Sequence, residues 1–282
     1  MILVFGQSGQ VASELQSFED IFALNRSIAD LRNPERCADI IRDYKPAAVI
    51  NAAAYTAVDK AEKEEALATV INCDAPSRMA EACANLSVPF VHISTDYVFD
   101  GSGNNAWLPH SKTNPQNAYG RSKEAGEKGV IESGAIYGIL RTSWVVSSRG
   151  ENFIKTMLRL SETYNELSIV SDQIGAPTPA RDIAGACYQT ALDLIANPSK
   201  SGIYHFSGAP NVSWYDFARE IFRQTGQDID IVPILSADYP TAASRPLNSM
   251  LDCQDTLLQF GIKQPDWRKG LNTILGELGV LS

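Results

Sequence analysis

Two side chains four residues apart, Tyr119 and Lys123 in the stretch Asn-Ala-Tyr-Gly-Arg-Ser-Lys at 117–123, carry the clearest chemical signal in the chain. At that spacing they share one face of a helix, and the charged run behind them, Glu-Ala-Gly-Glu-Lys-Gly at 124–129, suits an exposed helical surface. Tyrosine becomes a useful acid near neutral pH when its pKa falls from ~10 toward 7, which takes roughly 4 kcal/mol of differential stabilisation. An ammonium one turn away supplies much of that. The pair therefore suggests general acid catalysis, with Tyr119 as the acid and Lys123 as the cation that tunes it. Such pairs also arise by chance on helices, so the elements around them decide.

The chain opens with an apolar run at 2–5 that meets Gly-Gln-Ser-Gly-Gln-Val-Ala at 6–12. A strand, a glycine turn and a helix from about Gln10 are the context of a dinucleotide-binding loop. Gly6 permits the tight turn, Gly9 lets backbone approach a pyrophosphate, and Ala12 keeps helix and strand close; a plain strand-to-helix turn is the competing reading. A second strand at 21–24 ends at Asn25-Arg26, where an NAD-specific fold places a ribose-binding carboxylate and this chain has none. Arg26 offers a charge to a 2′-phosphate instead, unless it is only a surface arginine, so the reading favours NADPH with NADH possible. Asp30 and Leu31 suit the adenine edge.

Further strands at 47–50 and 89–93 end in Asn-Ala-Ala-Ala at 51–54 and Ser-Thr-Asp-Tyr at 94–97. Small residues leave room for a ligand, and hydroxyls at a strand's carboxyl end sit at the crevice, which makes Thr95 the candidate partner of Tyr119. One long helix is expected from 59 to 84, a loop over 100–116 that covers the site, and a continuous strand over 137–146. Alternating strands and helices predict an α/β fold, a Rossmann-type doubly wound parallel sheet with a smaller α/β lobe. The expected division is 1–143 with 170–205 for the dinucleotide, and 144–169 with 206–282 for the lobe.

A net charge of −9 on 282 residues argues against a polyanion partner, nucleic acid or anionic membrane alike. Five scattered cysteines read as reduced core residues, and with only three histidines no histidine-based metal site is expected. The only early apolar run, 2–5, is too short for a leader or a span. A cytoplasmic protein, monomer or homodimer, is expected.

With these pieces in place the chain resembles the extended short-chain dehydrogenase/reductases that act on nucleotide sugars, and within them the dTDP-4-dehydrorhamnose reductases. The motifs are the glycine loop, residues 49–62, 94–99, Tyr-Gly-x-x-Lys at 119–123, Arg-Thr-Ser-Trp at 141–144, Asn-Phe at 152, Ser-Asp-Gln-x-Gly-Ala-Pro-Thr at 171–178 and Ser-Arg-Pro-x-Asn-Ser at 244–249. The resemblance implies Tyr119 as proton donor, Lys123 on the nicotinamide ribose and Thr95 polarising a keto oxygen. It implies Gly6, Gly9, Gln10, Val11, Asp30, Leu31 and Ala52, Ala53 and Ala54 around the dinucleotide, with Thr95, Asp96 and Trp144 facing the sugar or its nucleotide. Trp144 also reads as a core aromatic, and Arg245 and Asn248, offered to the diphosphate or base, also read as a solvated turn. The implied reaction is NADPH-dependent reduction of the C4 keto group of dTDP-4-dehydro-6-deoxy-L-mannose to dTDP-L-rhamnose. Another nucleotide-sugar reductase, an epimerase or a non-catalytic NADP-binding regulatory subunit are the alternatives. Some members dimerise through magnesium held by glutamates; here Arg181 stands at one such position, and although Glu14 is present no metal is expected.

Overall fold

The computed structural model describes residues 1–281. Its centre is a six-stranded, wholly parallel sheet of β1 (Ile2–Phe5), β2 (Ile21–Leu24), β3 (Ala48–Asn51), β4 (Phe90–Thr95), β5 (Tyr137–Thr142) and β10 (Gly202–His205), in the order β10-β5-β4-β3-β1-β2. The order reverses beside β1, so a crevice opens at the carboxyl ends of β1 and β3. Strand residues alternate between two apolar layers, as a sheet covered on both faces requires. Leu3, Phe5 and Phe90 pack under α2 (Pro34–Tyr44), α5 (Ala75–Leu86) and α6 (Ala118–Glu132). Ile2, Val4 and Val91 pack under α1 (Gln10–Leu15) and α8 (Ala180–Ala196).

The long helix expected over 59–84 is instead α3 (Val58–Ala61), α4 (Glu65–Thr69), a π-turn at Val70–Asp74 and then α5. Pro76 has no N–H to offer the Asn72 carbonyl, so the helix widens just before it. The widened turn has a use: the buried Asn72 side chain accepts from Tyr55 N at 2.8 Å and donates to Tyr55 O and Ser122 Oγ, both at 3.0 Å. It thereby ties the 55 loop to α6.

The strand expected through 146 also breaks. β5 stops at Thr142, Trp144 adopts φ +46°, and β6 (Val145–Val146) leaves the main sheet to pair with β9 (Thr178–Pro179). Two more small pairs build the lobe: β7 (Glu166–Val170) with β12 (Asp230–Ile234), and β8 (Ile174–Gly175) with β11 (Val212–Ser213). A separate core of Ile154, Met157, Phe217, Ile221, Trp267 and Leu271 sits under them, supplied by α7 (Phe153–Ser161), α9 (Trp214–Thr225) and α11 (Trp267–Glu277). Helix α10 (Gln254–Phe260) closes against β10 through Phe260, whose ring meets Tyr204 edge-on. No helix among the described residues is long and apolar enough to cross a membrane.

Candidate active site

A cleft of about 740 Å³ runs across the carboxyl ends of β1, β3 and β4. At its floor Tyr119 stands on the first turn of α6, and several independent contacts set that turn. Asn117 caps the helix, its Oδ1 accepting from Gly120 N at 2.8 Å while its Nδ2 donates to Ser244 O at 2.8 Å. Glu62 accepts from Ala118 N at 2.8 Å. Gly120 lies so close to the 3-10 turn Asp96–Val98 that follows β4 that a Cβ there would run into Tyr97 O. Helix and turn are thus pressed together beside the point where Tyr119 meets Thr95.

The Thr95 hydroxyl faces the Tyr119 phenol, accepts from Tyr97 N at 3.2 Å and donates to Asp96 Oδ1 at 3.1 Å. Burial pushes the phenol up to about 12; Thr95 works against this and the nearby Asp96 charge with it. The pKa expected to fall toward 7 therefore rises in the free protein. Burial prevails, and the lysine does not offset it. Lys123 Nζ donates to Ile93 O at 2.7 Å and lies 3.1 Å from His92 Nε2, and burial lowers it from 10.5 to about 8 against the pull of Glu127. It does not serve the phenol as a counter-charge here. Burial also raises Asp96 to about 6, opposed by the Ser249 and Thr95 hydroxyls, and its Oδ2 is buried with no hydrogen-bond partner.

Away from this floor the cleft fits a dinucleotide. Gly6 has φ +112°, and a Cβ there would stand 3.2 Å from Ala12 Cβ and 3.3 Å from the Ala52 backbone, so only glycine leaves the turn its path. Gly9 precedes α1 without any side-chain cap, leaving first-turn amides toward the cleft beside Gln10 and Val11. Ala52, Ala53 and Ala54 line the opposite wall. At the far end Arg26 is 69% exposed and 3.4 Å from Asp30, which Arg32 holds at about 2. Leu31 closes that end. The cleft thus joins a glycine turn, a small-residue wall and an end bearing an exposed guanidinium.

The structure brings Tyr119, Lys123, Thr95, Asp96 and Trp144 to the same cleft, but not Arg245 or Asn248. Arg245 is spent on Asp59 at 2.6 Å, and that carboxylate also accepts from Ala243 N. Asn248 is buried, its Nδ2 donating to Ser102 O and Asn105 O. Each closes protein against protein. The 100–116 loop, expected over the site, is drawn off the same way: Trp107 stacks on Phe99 and bridges to Leu251. Trp144 stacks on Trp214 with ring centroids 3.5 Å apart, presenting a flat apolar wall from the lobe.

Two groups escape a reading by motif. Asn51 and His92 are register partners on β3 and β4, both buried, with Asn51 Nδ2 3.2 Å from His92 Nδ1. The signal was strand parity: His92 shares a face with Phe90, the face that α6 covers, so Lys123 must meet it. The second is the ion pair of Arg141 with Glu127, at 2.6 Å and 3% exposed on each side, which anchors α6 to β5. No group of three His, Cys, Asp or Glu side chains among the described residues is placed to hold a metal ion.

Comparison with known proteins follows the same outline. The family model described as RmlD substrate binding domain matches residues 1–280. The dTDP-4-dehydrorhamnose reductase of Sinorhizobium fredii is 41% identical over 287 residues, covering 98% of this chain and 97% of that one. A crystal structure of the Clostridium acetobutylicum dTDP-4-dehydrorhamnose reductase superposes with a TM-score of 0.92 at 36% identity, covering 99% of both chains. The Bacillus anthracis enzyme of that name, solved in complex with NADP, gives 0.90 at 35% identity over 98% of both chains.

Proposed function

The chain belongs to the RmlD substrate binding domain family, and on that premise we propose that it reduces the C4 keto group of dTDP-4-dehydro-6-deoxy-L-mannose with NADPH, giving dTDP-L-rhamnose. The observation that carries the reading is the facing pair of hydroxyls, Tyr119 and Thr95, on the floor of a cleft shaped for a dinucleotide. When bound, NADPH supplies the hydride that reduces C4. Everything else is done by the chain. Gly6, Gly9, Gln10 and Val11 receive the pyrophosphate, Ala52 to Ala54 leave room for it, and Arg26, Asp30 and Leu31 take the adenosine end. Lys123 is the group to hold the nicotinamide ribose.

Tyr119 donates to the keto oxygen, and Thr95 turns its single hydroxyl proton from Asp96 Oδ1 to the same oxygen, so negative charge develops between two hydroxyls whose oxygens are already in place. A phenol at about 12 stays protonated at neutral pH and yields its proton only to a stronger base. The developing alkoxide is that base. The raised pKa thus keeps the acid loaded, and a tyrosine tuned to 7 is not required. Asp96 offers its unpaired Oδ2 to a sugar hydroxyl, and Trp144 offers its face to the sugar or base. In this reading residues 1–143 and 170–205 hold the dinucleotide, and 144–169 and 206–282 read the nucleotide sugar. The enzyme works in the cytoplasm, as a monomer or homodimer; its five cysteines are all free, which suits a reducing compartment.

The test is NADPH oxidation with dTDP-4-dehydro-L-rhamnose generated in situ, run beside NADH and beside a UDP-linked keto sugar. Rapid oxidation confined to the dTDP sugar is expected. Tight NADPH binding with no oxidation of any sugar would withdraw the reading.

A further inference from the structure

The buried Asn51–His92–Lys123 chain has a hydrogen-bond parity that the reaction as derived does not use. Ala53 N donates to Asn51 Oδ1 at 3.2 Å, which fixes the amide: its carbonyl faces Ala53 and its NH2 faces His92 Nδ1, 3.2 Å away. That ring nitrogen must accept. A neutral imidazole accepting at Nδ1 carries its proton on Nε2, and Nε2 lies 3.1 Å from Lys123 Nζ. An ammonium has three donors and no acceptor, so a charged Lys123 would set donor against donor. A neutral amine has a lone pair to receive Nε2–H and still donates to Ile93 O at 2.7 Å. All three side chains are 1% exposed, so water cannot relieve a mismatch.

We propose that Asn51 and His92 are positioning residues for Lys123, holding it as a neutral amine in the free protein with His92 in the Nε2–H tautomer. The proposal rests on the reading that Lys123 belongs to the reductase site. The groups facing the amine agree with it. Glu127, one turn along α6, would favour an ammonium, but both its oxygens are taken by Arg141 from β5. Burial first, and any charge on Lys123 second, keep His92 well below 6.5, which removes the imidazolium, and Tyr119, one turn back, is a neutral phenol. Burial, offset in part by Glu127, brings Lys123 down to about 8, and the Nε2–H donor facing it carries it further in the same direction. Turning the Asn51 amide over would free an acceptor for the opposite tautomer, but only by setting NH2 against Ala53 N–H. The absence of a cation beside Tyr119 in the free protein follows directly.

The test is long-range 1H–15N NMR of histidine-labelled free protein at neutral pH. The chain has three histidines, so His92→Gln identifies the signal by its loss. The expected result is a protonated Nε2 and a bare Nδ1 for His92. In Asn51→Asp the carboxylate only accepts, so the tautomer should switch to Nδ1–H and turn Nε2 into an acceptor for a charged Lys123. A wild-type Nδ1–H tautomer or an imidazolium would overturn the proposal, and so would an unchanged tautomer in a folded Asn51→Asp protein. Should that variant not fold, the wild-type tautomer decides alone. No turnover enters the measurement, so the proposed reaction and this proposal fail separately.

Discussion

Replacing Tyr119 by phenylalanine removes one oxygen and leaves the scaffold that places it. The ring keeps its edge-on contact with Tyr97 at 5.5 Å, and the start of α6 stays fixed by Asn117 and Glu62. NADPH affinity should therefore change by less than about threefold, well under 1 kcal/mol. Turnover should not survive in the same way. Without the phenol the alkoxide keeps only the Thr95 hydrogen bond, and a positioned proton donor is commonly worth about 10²–10⁴ in rate, or about 3–5 kcal/mol. The pH behaviour sharpens the test. With its pKa about 12, five units above neutrality, only about one phenol in 10⁵ is ionised at pH 7, so no limb of the free enzyme's profile between pH 6 and 9 belongs to Tyr119. Steady-state NADPH oxidation with the in situ substrate reads the turnover, and cofactor fluorescence reads the affinity. Turnover within tenfold of wild type, or an affinity that falls in step with turnover, would refute the assignment of the acid.

Thr95→Val, which keeps the shape and removes the second donor, should cost about 10²–10³ in kcat with little change in NADPH affinity; a loss under fivefold would take Thr95 out of the chemistry. Arg26→Ala should weaken NADPH roughly tenfold, about 1.4 kcal/mol, and leave NADH nearly unchanged, since Arg26 is exposed and a phosphate contact there is partly screened. Equal losses for both cofactors would show that Arg26 does not read the 2′-phosphate. Asp96 makes a stability prediction. Its folded pKa of about 6 lies above the ordinary 3.8, so between those values the native protein holds a proton that the unfolded chain has released. Stability therefore falls as pH rises through about 4 to 6, by about 3 kcal/mol in all. Asp96→Asn should lose that slope in urea melts and gain relative to wild type above pH 6; parallel curves for the two proteins would mean the carboxylate is not desolvated.

What the sequence revealed and what it hid divide along physical lines. The glycine turn, the Tyr119–Lys123 spacing and the hydroxyls after β4 were legible because each is local: a φ only glycine accepts, a helical repeat, a strand's end. The break at the π-turn depended on one missing N–H at Pro76, which a period-based reading passes over. Trp144 continues an apolar run in sequence yet turns through a left-handed backbone in space, so the end of β5 could not be read from hydropathy. Arg245 and Asn248 looked like ligand contacts because polar side chains in a loop have no visible partner in sequence; their partners, Asp59 and the 102–105 backbone, lie far away in the chain. The depth of burial around Tyr119 and Lys123 was hidden in the same way, since a helical spacing shows which side chains share a face but not how far that face is withdrawn from water.

The cap at Asn117 has a consequence in time as well as in space. One amide starts the helix that carries Tyr119 and Lys123, and its other end holds the Ser244 carbonyl. During synthesis α6 can coil and lie on its sheet long before residue 244 leaves the ribosome, but half of that amide then has only water to bind. One of the contacts that hold the start of the helix under Tyr119 thus comes from a segment made near the end of the chain. A nascent polypeptide can thus own all six strands of the central sheet before the turn that carries Tyr119 has its last anchor.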